Sequence, residues 1–217
     1  MAKFQERTID SFKSALKGGG ARSNLFEVSF GSAADGVSAS PFSGQNLFAT
    51  LGVSNEITNT DLMLIKAAGM PASNLTEIPV PFRGRTLKIA GDRTFDVWTI
   101  TILNDEDFKW RRFFERWINY IVKTSDGSGT VSPDQYMIDM NVSQLSRGPV
   151  GALGTKGSNN NTEIKTLRKY VVKSVFPTAV SAIELSYNNE NEIEEFTVDL
   201  QVQYWEAYTG TGSPDIV

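Results

Sequence analysis

Apolar and polar side chains alternate in several stretches of the chain, and this alternation predicts a protein built mainly of β-strands. The clearest stretch covers residues 195–205. Its apolar positions are Phe196, Val198, Leu200, Val202 and Tyr204, and the positions between them are Thr197, Asp199, Gln201, Gln203 and Trp205. Because successive side chains of a strand point to opposite faces, we expect a strand with one face on the core and one face in water.

Further stretches with alternating or continuous apolar residues predict six or more additional strands. They are residues 25–30, 62–67, 85–90, 96–103, 136–142, 164–176 and 182–187, with a weaker candidate at 46–51. The apolar run 62–67 fits a strand that is buried on both faces or one at a subunit contact. Pro177 is expected to end the strand that begins near residue 164, because proline cannot donate to a ladder. Residues 182–187 and 195–205 are expected to pair with each other across the connection at 188–194.

Glycine and proline mark the expected turns in the first half of the chain. Gly84-Arg85 is predicted to form a turn or loop tip that leads into an alternating strand. Gly91-Asp92 is a pair of the type that favours hairpin turns. The segments around Pro71 and residues 79–81 are expected at sheet edges or in loops.

One strongly amphipathic helix is predicted to run from residues 104–107 to about residue 122. The acceptors of residues 104–107 can cap its free N–H groups. Its apolar side consists of Trp110, Phe113, Phe114, Trp117, Ile118 and Ile121. Residues at spacings of three and four share one face of a helix, so this face is expected to dock on the sheet. A short helix is also expected at residues 9–16, capped by Asp10 or Ser11.

The pattern as a whole predicts a mainly β (α+β) fold, an antiparallel sandwich or barrel of about seven or more strands with one prominent helix. Residues 1–20 are expected to form a flexible N-terminal arm or short helix. Residues 21–206 are expected to form a single domain with loop insertions near 31–59 and 146–162, which are rich in small and polar residues. Residues 207–217 are expected to be a C-terminal tail.

Composition makes catalysis improbable. The 217 residues include neither cysteine nor histidine, which removes thiol chemistry, the commonest general base and the commonest transition-metal ligand. We therefore expect no enzyme and no catalytic, cofactor-binding or metal-binding residue. The cluster of Glu190, Glu192, Glu194 and Glu195 fits a solvated loop better than a site for a hard cation. No apolar run is long enough to span a membrane, so no membrane insertion is expected.

The mild acidity of the chain bears on how it would meet nucleic acid. The formal net charge is −4, and the isoelectric point is near 5.0. Such a protein does not attract DNA globally, and a surface of this sign would let DNA slide past.

Several segments of the sequence resemble the tail-tube proteins of T4-type contractile-tailed bacteriophages. They are RSNLFEV at residues 22–28, GDRTFDVWTITILNDE at 91–106, and the ordered pieces FPT at 176–178, IEL at 183–185, NEIEEFTV at 191–198 and YWE at 204–206. The resemblance implies a structural subunit whose rings, of six copies, stack into a hollow tube. It implies a sheath protein, a baseplate hub, a tape measure protein and a tail terminator as partners. It also implies transient, non-specific passage of double-stranded DNA and a place in the virion tail after assembly in the host bacterial cytoplasm.

Within that resemblance, two groups of residues become candidates for function. Thr197, Asp199, Gln201 and Gln203 are candidates for the surface of the channel, because they occupy the polar side of the strand at 195–205. Gly84, Arg85, Gly91, Asp92 and Arg93 are candidates for contacts between subunits or rings.

Other functions remain open at this point. A type VI secretion-like tube protein would have the same architecture. A ligand-binding or carbohydrate-binding β-sandwich could use surface aromatics such as Trp205 and Tyr208. A carboxylate-dependent hydrolase is the least favoured alternative.

Overall fold

The structure is a computed structural model that describes residues 8–16, 20–31, 47, 50–52, 56–58, 60–149, 164–188, 190–209 and 214–216. The strands are β1 (Phe26–Phe30), β2 (Ile65–Ala68), β3 (Ser73–Phe82), β4 (Arg85–Phe95), β5 (Trp98–Leu103), β6 (Ile138–Pro149), β7 (Ile164–Val180), β8 (Glu195–Gln201), β9 (Tyr204–Tyr208) and β10 (Pro214–Ile216). The helices are α1 (Ile9–Ala15), α2 (Lys109–Ile121) and α3 (Pro133–Tyr136), and Asp61–Leu64 form a 3-10 helix.

Eight of these strands form one antiparallel sheet, which confirms the predicted fold class. The order is β1-β6-β7-β8-β5-β2; β9 also pairs with β7, and β10 pairs with β9. The ladder between β5 and β8 runs from Trp98 opposite Leu200 to Leu103 opposite Glu195. The two remaining strands, β3 and β4, pair with each other as a separate two-stranded sheet.

The long strand β7 joins the two halves of the sheet. Its first part pairs with β6 and β9, and its last part, from Phe176 onwards, pairs with β8. Ser174 lies where these parts meet and has a φ of 52°. The partner strand is interrupted at the same place, between Gln201 of β8 and Tyr204 of β9. The irregular backbone at Ser174 therefore marks the point at which β7 passes from one half of the sheet to the other.

The prediction that Pro177 ends this strand is wrong. Pro177 lies inside β7, opposite Leu200, and the register shifts between Pro177 and Ala179. A proline fits a strand at such an irregularity, where no regular ladder hydrogen bond from its nitrogen is needed.

Helix α2 closes the core, as its apolar face predicts. Trp110, Phe113, Phe114 and Trp117 are fully buried. They pack in one cluster with the inward-facing side chains of β1, β5, β6, β7 and β8, and the rings of Phe30 and Trp110 stack at 5.2 Å. The helix begins at Lys109, with Phe108 at its N-cap position, so residues 104–107 precede it and do not form its first turn. The side chain of Asp105 accepts a hydrogen bond from the backbone nitrogen of Lys109 at 3.0 Å and thus satisfies one of the free N–H groups at the helix start.

All four tryptophans of the chain satisfy their indole N–H groups with backbone carbonyls. Trp98 donates to Gly69, Trp110 to Asp61, Trp117 to Tyr136 and Trp205 to Ala72, over 2.6, 2.9, 2.8 and 3.2 Å respectively. Buried indoles usually need such a partner. Three of the four acceptors lie between residues 61 and 72, so these bonds hold the segment that leads into β3 against the body of the protein.

Several local predictions were wrong. Residues 182–187 form no strand, so they do not pair with residues 195–205 as expected; β8 pairs with β5 and β7 instead. The stretch 195–205 itself divides into β8 and the start of β9. The apolar run at 62–67 gives the end of a 3-10 helix and the edge strand β2, of which only Ile65 is fully buried. Helix α1 is capped by Thr8, whose side chain accepts from the backbone nitrogen of Ser11 at 3.2 Å, and not by Asp10 or Ser11.

The expected loops and tail also need correction where the structure describes them. In the weak strand candidate at 46–51, Leu47 and Thr50 are helical, and the nitrogen of Leu51 donates to the carbonyl of Leu47 at 2.8 Å. The insertion expected at 146–162 begins as strand, because β6 continues to Pro149. Part of the expected tail belongs to the sheet as β9 and β10. Leu47 and Ile57 of the first insertion are buried in the core. Residues 1–7 and 17–19 of the N-terminal arm, 32–46, 48–49, 53–55 and 59 of the first insertion, and 150–162 of the second lie outside the described ranges.

Candidate assembly surfaces

The β3–β4 hairpin presents an apolar face that the rest of the described chain does not cover. Ile78 lies opposite Ile89 and Val80 lies opposite Leu87 in the ladder, and Phe82 is on the same side of β3. All five side chains are exposed, from 39% for Val80 to 66% for Phe82. A two-stranded hairpin alone is marginally stable, and clustered apolar exposure marks contact sites. The hairpin therefore resembles an arm whose apolar face is suited to packing against another surface.

The turn of this hairpin is at Arg83-Gly84. Both residues have positive φ, 44° and 77°. This is the backbone twist that suits a two-residue hairpin turn, and glycine adopts it without strain. The expected turn is confirmed at Gly84 but begins one residue earlier than predicted, because Arg85 is already in β4. The turn expected at Gly91-Asp92 is wrong, because both residues lie inside β4.

Gly91 and Asp92 instead lie at an irregularity in the ladder between β3 and β4. The register shifts between Leu75 and Glu77, and the hydroxyl of Thr76 donates to the backbone carbonyl of Asp92 at 2.9 Å. A Cβ atom at Gly91 would come within 2.9 Å of that hydroxyl oxygen and 3.0 Å of the Thr76 carbonyl. Glycine is needed here because of this close approach of the two strands.

The structure brings all five predicted interface residues onto the same hairpin. Gly84 is at the tip, Arg85 is the first residue of β4 and lies opposite Phe82, and Arg93 lies opposite Leu75. Gly91 and Asp92 lie between Arg85 and Arg93 in the same strand. The ten-residue strand β3 was not predicted from the sequence. The alternating apolar positions 78, 80 and 82 indicate this strand, but the prolines at 79 and 81 favoured a loop or a sheet edge instead.

The end of the hairpin is basic. Residues 80–88 contain Arg83, Arg85 and Lys88 and no carboxylate. The guanidinium of Arg83 lies over the ring of Phe82 at 5.4 Å, and Lys88 forms an ion pair with Glu77 at 2.8 Å. The exposed tip thus combines apolar area with positive charge.

Three of the four predicted channel residues lie on the outward face of the central strand β8. Thr197, Asp199 and Gln201 alternate with Phe196, Val198 and Leu200, which are buried in the core. The polar face continues on β5, where Thr101 lies opposite Thr197 and Thr99 lies opposite Asp199. The hydroxyl of Thr99 donates to the Asp199 carboxylate at 2.6 Å.

Gln203 does not belong to that strand. It lies in the interruption between β8 and β9, and its backbone nitrogen donates to the carbonyl of Lys173 at 3.3 Å. Its side chain is exposed.

A charged pair supports the irregular point of β7 from within the fold. The ammonium of Lys173 lies 2.9 Å from the Asp139 carboxylate, which also accepts a hydrogen bond from the backbone nitrogen of Ser174 at 3.1 Å. Partial burial would lower the pKa of Lys173, but the hydrogen bond and the charge of Asp139 outweigh burial and raise that pKa. Asp139 thus has a structural role.

The geometry supports these assembly surfaces better than it supports a catalytic or a sugar-binding site. Within the described ranges, no three acidic side chains are grouped so that they could hold a metal ion. Trp205, a candidate sugar platform, packs edge-on against Phe95 and Tyr170, with ring centroids at 6.4 and 5.4 Å. The other candidate, Tyr208, donates its hydroxyl to Glu206 at 2.9 Å. Of the helices that the structure describes, none is long and apolar enough to cross a membrane.

Comparison with known proteins points in the same direction as these surfaces. The family model described as "Phage tail tube protein" matches residues 21–208. The chain is 33% identical to tail tube protein gp19 of Enterobacteria phage T4 over 142 residues, which cover 65% of this chain and 78% of that protein. It is 25% identical to the tail tube protein of Serratia phage KSP90 over 160 residues, which cover 74% of this chain and 81% of the relative.

A solved structure has a similar fold at much lower identity. It is a chain from the cryo-EM structure of the anti-feeding prophage baseplate, which was six-fold symmetrised. The two chains are 10% identical with a TM-score of 0.51, and the similarity covers 87% of this chain and 95% of the other.

Proposed function

Because the chain belongs to the phage tail tube protein family, we propose that its copies form six-membered rings that stack into the tube through which the genome leaves the particle. As a member of that family, the chain is a structural component of the virion tail. Rings of six, assembly in the bacterial cytoplasm and passage of double-stranded DNA are parts of the proposal.

The observation that carries the proposal is the uncovered apolar face of the β3–β4 hairpin. A strand of ten residues is about 30 Å long, and the apolar side chains that β3 and β4 share on one face are exposed within the described chain. Its base is fixed by the bond from Trp205 to Ala72 and by the contact between Trp205 and Phe95. A long arm with a fixed base suits contacts with a neighbouring copy.

An arm that reaches into a different surface of the next copy makes a head-to-tail interface. Such an interface does not use the same patch twice, so it can repeat without closing along the axis. Stacked rings are the expected product. In this arrangement Gly84, Arg85, Gly91, Asp92 and Arg93 lie at or near contacts between subunits or rings.

The polar face of β8 and β5 suits the wall of a water-filled channel. Thr197, Asp199 and Gln201 supply neutral or acidic groups there, and Gln203 is proposed as a further lumen residue beyond the end of β8. A wall without cations offers no counter-charge to phosphates, so DNA can slide along it. The sheath protein, baseplate hub, tape measure protein and tail terminator are proposed as the other partners of the tube.

A single charge reversal on the hairpin tests the proposal. We expect Arg93→Glu to prevent tube formation, because it places a second carboxylate next to Asp92 and opposite the exposed Leu75 on the hairpin that must meet another copy. The monomer should stay folded, since Arg93 is exposed and such substitutions usually change stability by less than about 0.5 kcal/mol. Electron microscopy detects the tubes, and thermal unfolding shows whether the monomer is folded.

Lys123→Glu is the matched control, because it reverses an exposed cation away from the hairpin. Tubes of ordinary appearance from Arg93→Glu would contradict the assigned role of the hairpin.

A further inference from the structure

Two parts of the segment at residues 182–195, namely 183–187 and 192–195, line an open groove that has apolar side chains and a strongly acidic rim. The groove has a volume of about 580 Å³. Leu185, Tyr187 and Ile193 line it and are exposed, by 78%, 104% and 72%. The segment contains five glutamates and neither lysine nor arginine.

Two of the groove's glutamates are available to an outside partner. Glu195 forms an ion pair with Lys66, and the amide of Asn104 donates to Glu194 at 3.0 Å. Glu184 and Glu192 also line the groove, and neither has an ion pair within the part of the chain that the structure describes. Exposed apolar side chains beside uncompensated carboxylates indicate a docking surface for a basic, apolar segment.

The base of the hairpin and this groove lie at opposite ends of the same pair of central strands. β5 begins at Trp98, shortly after the hairpin, where it lies opposite Leu200. It ends at Leu103, opposite Glu195, which borders the groove. The other side of the groove follows β7, which ends at Val180 opposite Val198. The end of one copy that carries the hairpin can therefore face the end of another copy that carries the groove.

The two surfaces also match in chemistry. The tip offers Phe82 and Leu87 with the cations Arg83 and Arg85, and it has no carboxylate between residues 80 and 88. Lys88 is already paired with Glu77. The groove offers the reverse charge beside its own exposed apolar side chains. Complementary charges of this kind fix the register of an interface and disfavour like-with-like contacts.

We propose that the groove at residues 182–195 receives the hairpin tip of a second copy of this chain from the next ring of the stack. The proposal rests on the proposed function and names the acceptor surface that the hairpin requires. Arg83 and Arg85 of one copy meet Glu184 and Glu192 of the other, while Phe82 packs against Leu185, Tyr187 and Ile193.

A charge exchange tests this pairing. The hairpin variant is Arg83→Glu/Arg85→Glu, the groove variant is Glu184→Lys/Glu192→Lys, and a third protein combines all four substitutions. We expect each of the first two to raise the protein concentration needed for tube formation by at least about tenfold, because like charges then face each other. The combined protein should assemble at about the wild-type concentration, since its two surfaces are again complementary. Thermal unfolding of each monomer confirms that all the proteins are folded.

Cross-linking gives a second readout on a clean background, because the chain has no cysteine. Under mild oxidation, Arg85→Cys/Glu192→Cys should give a ladder of covalent multimers. The control Arg85→Cys/Glu115→Cys, with its second thiol on helix α2, should give no ladder. The proposed acceptor is overturned if the protein with all four substitutions assembles as poorly as the two charge variants, or if the Arg85→Cys/Glu192→Cys protein gives no longer a ladder than the control. Tubes formed by the wild-type protein would still support the proposed function in that case. A wild-type protein that forms no tubes contradicts the proposed function itself.

Discussion

At the scale of single residues, Asp61 links the segment that begins at Thr58 to the start of helix α2. Its carboxylate accepts from the backbone nitrogen and the hydroxyl of Thr58 at 2.6 and 2.7 Å, and Lys109 approaches it to 3.5 Å. Its backbone carbonyl accepts from the Trp110 indole. Partial burial would raise the pKa of Asp61, but the bonds from Thr58 and the charge of Lys109 together hold that pKa below its usual value near 3.8.

This lowered pKa predicts a pH-dependent contribution to stability. A carboxylate whose pKa is lower in the folded state stabilises the fold fully above its ordinary pKa, and that stability is lost as the pH falls through the folded pKa. We expect Asp61→Asn to reduce the free energy of unfolding by about 1–3 kcal/mol near neutral pH, because the bonds involve a charged group. Urea denaturation should show the difference from wild type shrinking as the pH falls below about 3.8.

Asp134→Asn is a suitable control, since Asp134 is exposed on the short helix α3. It should change stability little at any pH. An Asp61→Asn difference that stays constant or grows in acid would contradict the assignment.

Residue roles were predictable from sequence only where the chemistry is local. The turn at Gly84 follows from the residue type. The need for glycine at 91 arises from the close approach of Thr76, fifteen positions away, so the same Gly-Asp pair was misread as a turn. Ser174 carries no sequence signal for its positive φ, which Asp139 supports from a different strand.

At the scale of elements, helix α2 and the β3–β4 hairpin each have an apolar face, and the two faces differ in burial. The face of α2 is fully buried in its own core, and that of the hairpin is exposed. Periodicity predicted the helix well, because four large aromatics on one face need a sheet to pack on. It predicted neither β3 nor the exposure of the hairpin, since an apolar pattern does not tell whether the covering surface belongs to the same chain.

Removal of the hairpin separates folding from assembly. Residues 75–93 can be replaced by an Asn-Gly turn, because Asn74 and Thr94 are paired and close the shortened loop. We expect the body to stay folded, with a melting temperature within about 5 °C of wild type, since the hairpin contributes little to the core. The shortened protein should remain monomeric in analytical ultracentrifugation. Tubes formed without the hairpin would show that other surfaces suffice.

At the scale of the whole molecule, the fold separates three surfaces. The hairpin lies at one end of the β5–β8 pair, the acidic groove lies at the other, and the polar face of β8 lies between them. The antiparallel fold was predictable from alternation. The order of strands was not, because the pairing of β8 with β5 depends on contacts between residues about a hundred positions apart.

The channel role of β8 predicts a cost when cations are added to its polar face. Asp199→Lys/Gln201→Lys should leave tubes intact but slow genome release, because lysines bind phosphates. Isolated tubes of this variant should also retain short double-stranded DNA in sedimentation, and added salt should release it. Asp134→Lys/Gln135→Lys makes the same charge change on helix α3 and should behave like wild type. Release at the wild-type rate with no retained DNA would place β8 away from the channel.

Electron microscopy of the concentrated wild-type protein shows whether its copies assemble into a tube. We expect hollow tubes of stacked rings, with the β3–β4 hairpin of each subunit bridging to a neighbouring copy. A protein that stays a single-chain particle at every concentration, with neither rings nor tubes in the images, would contradict this expectation.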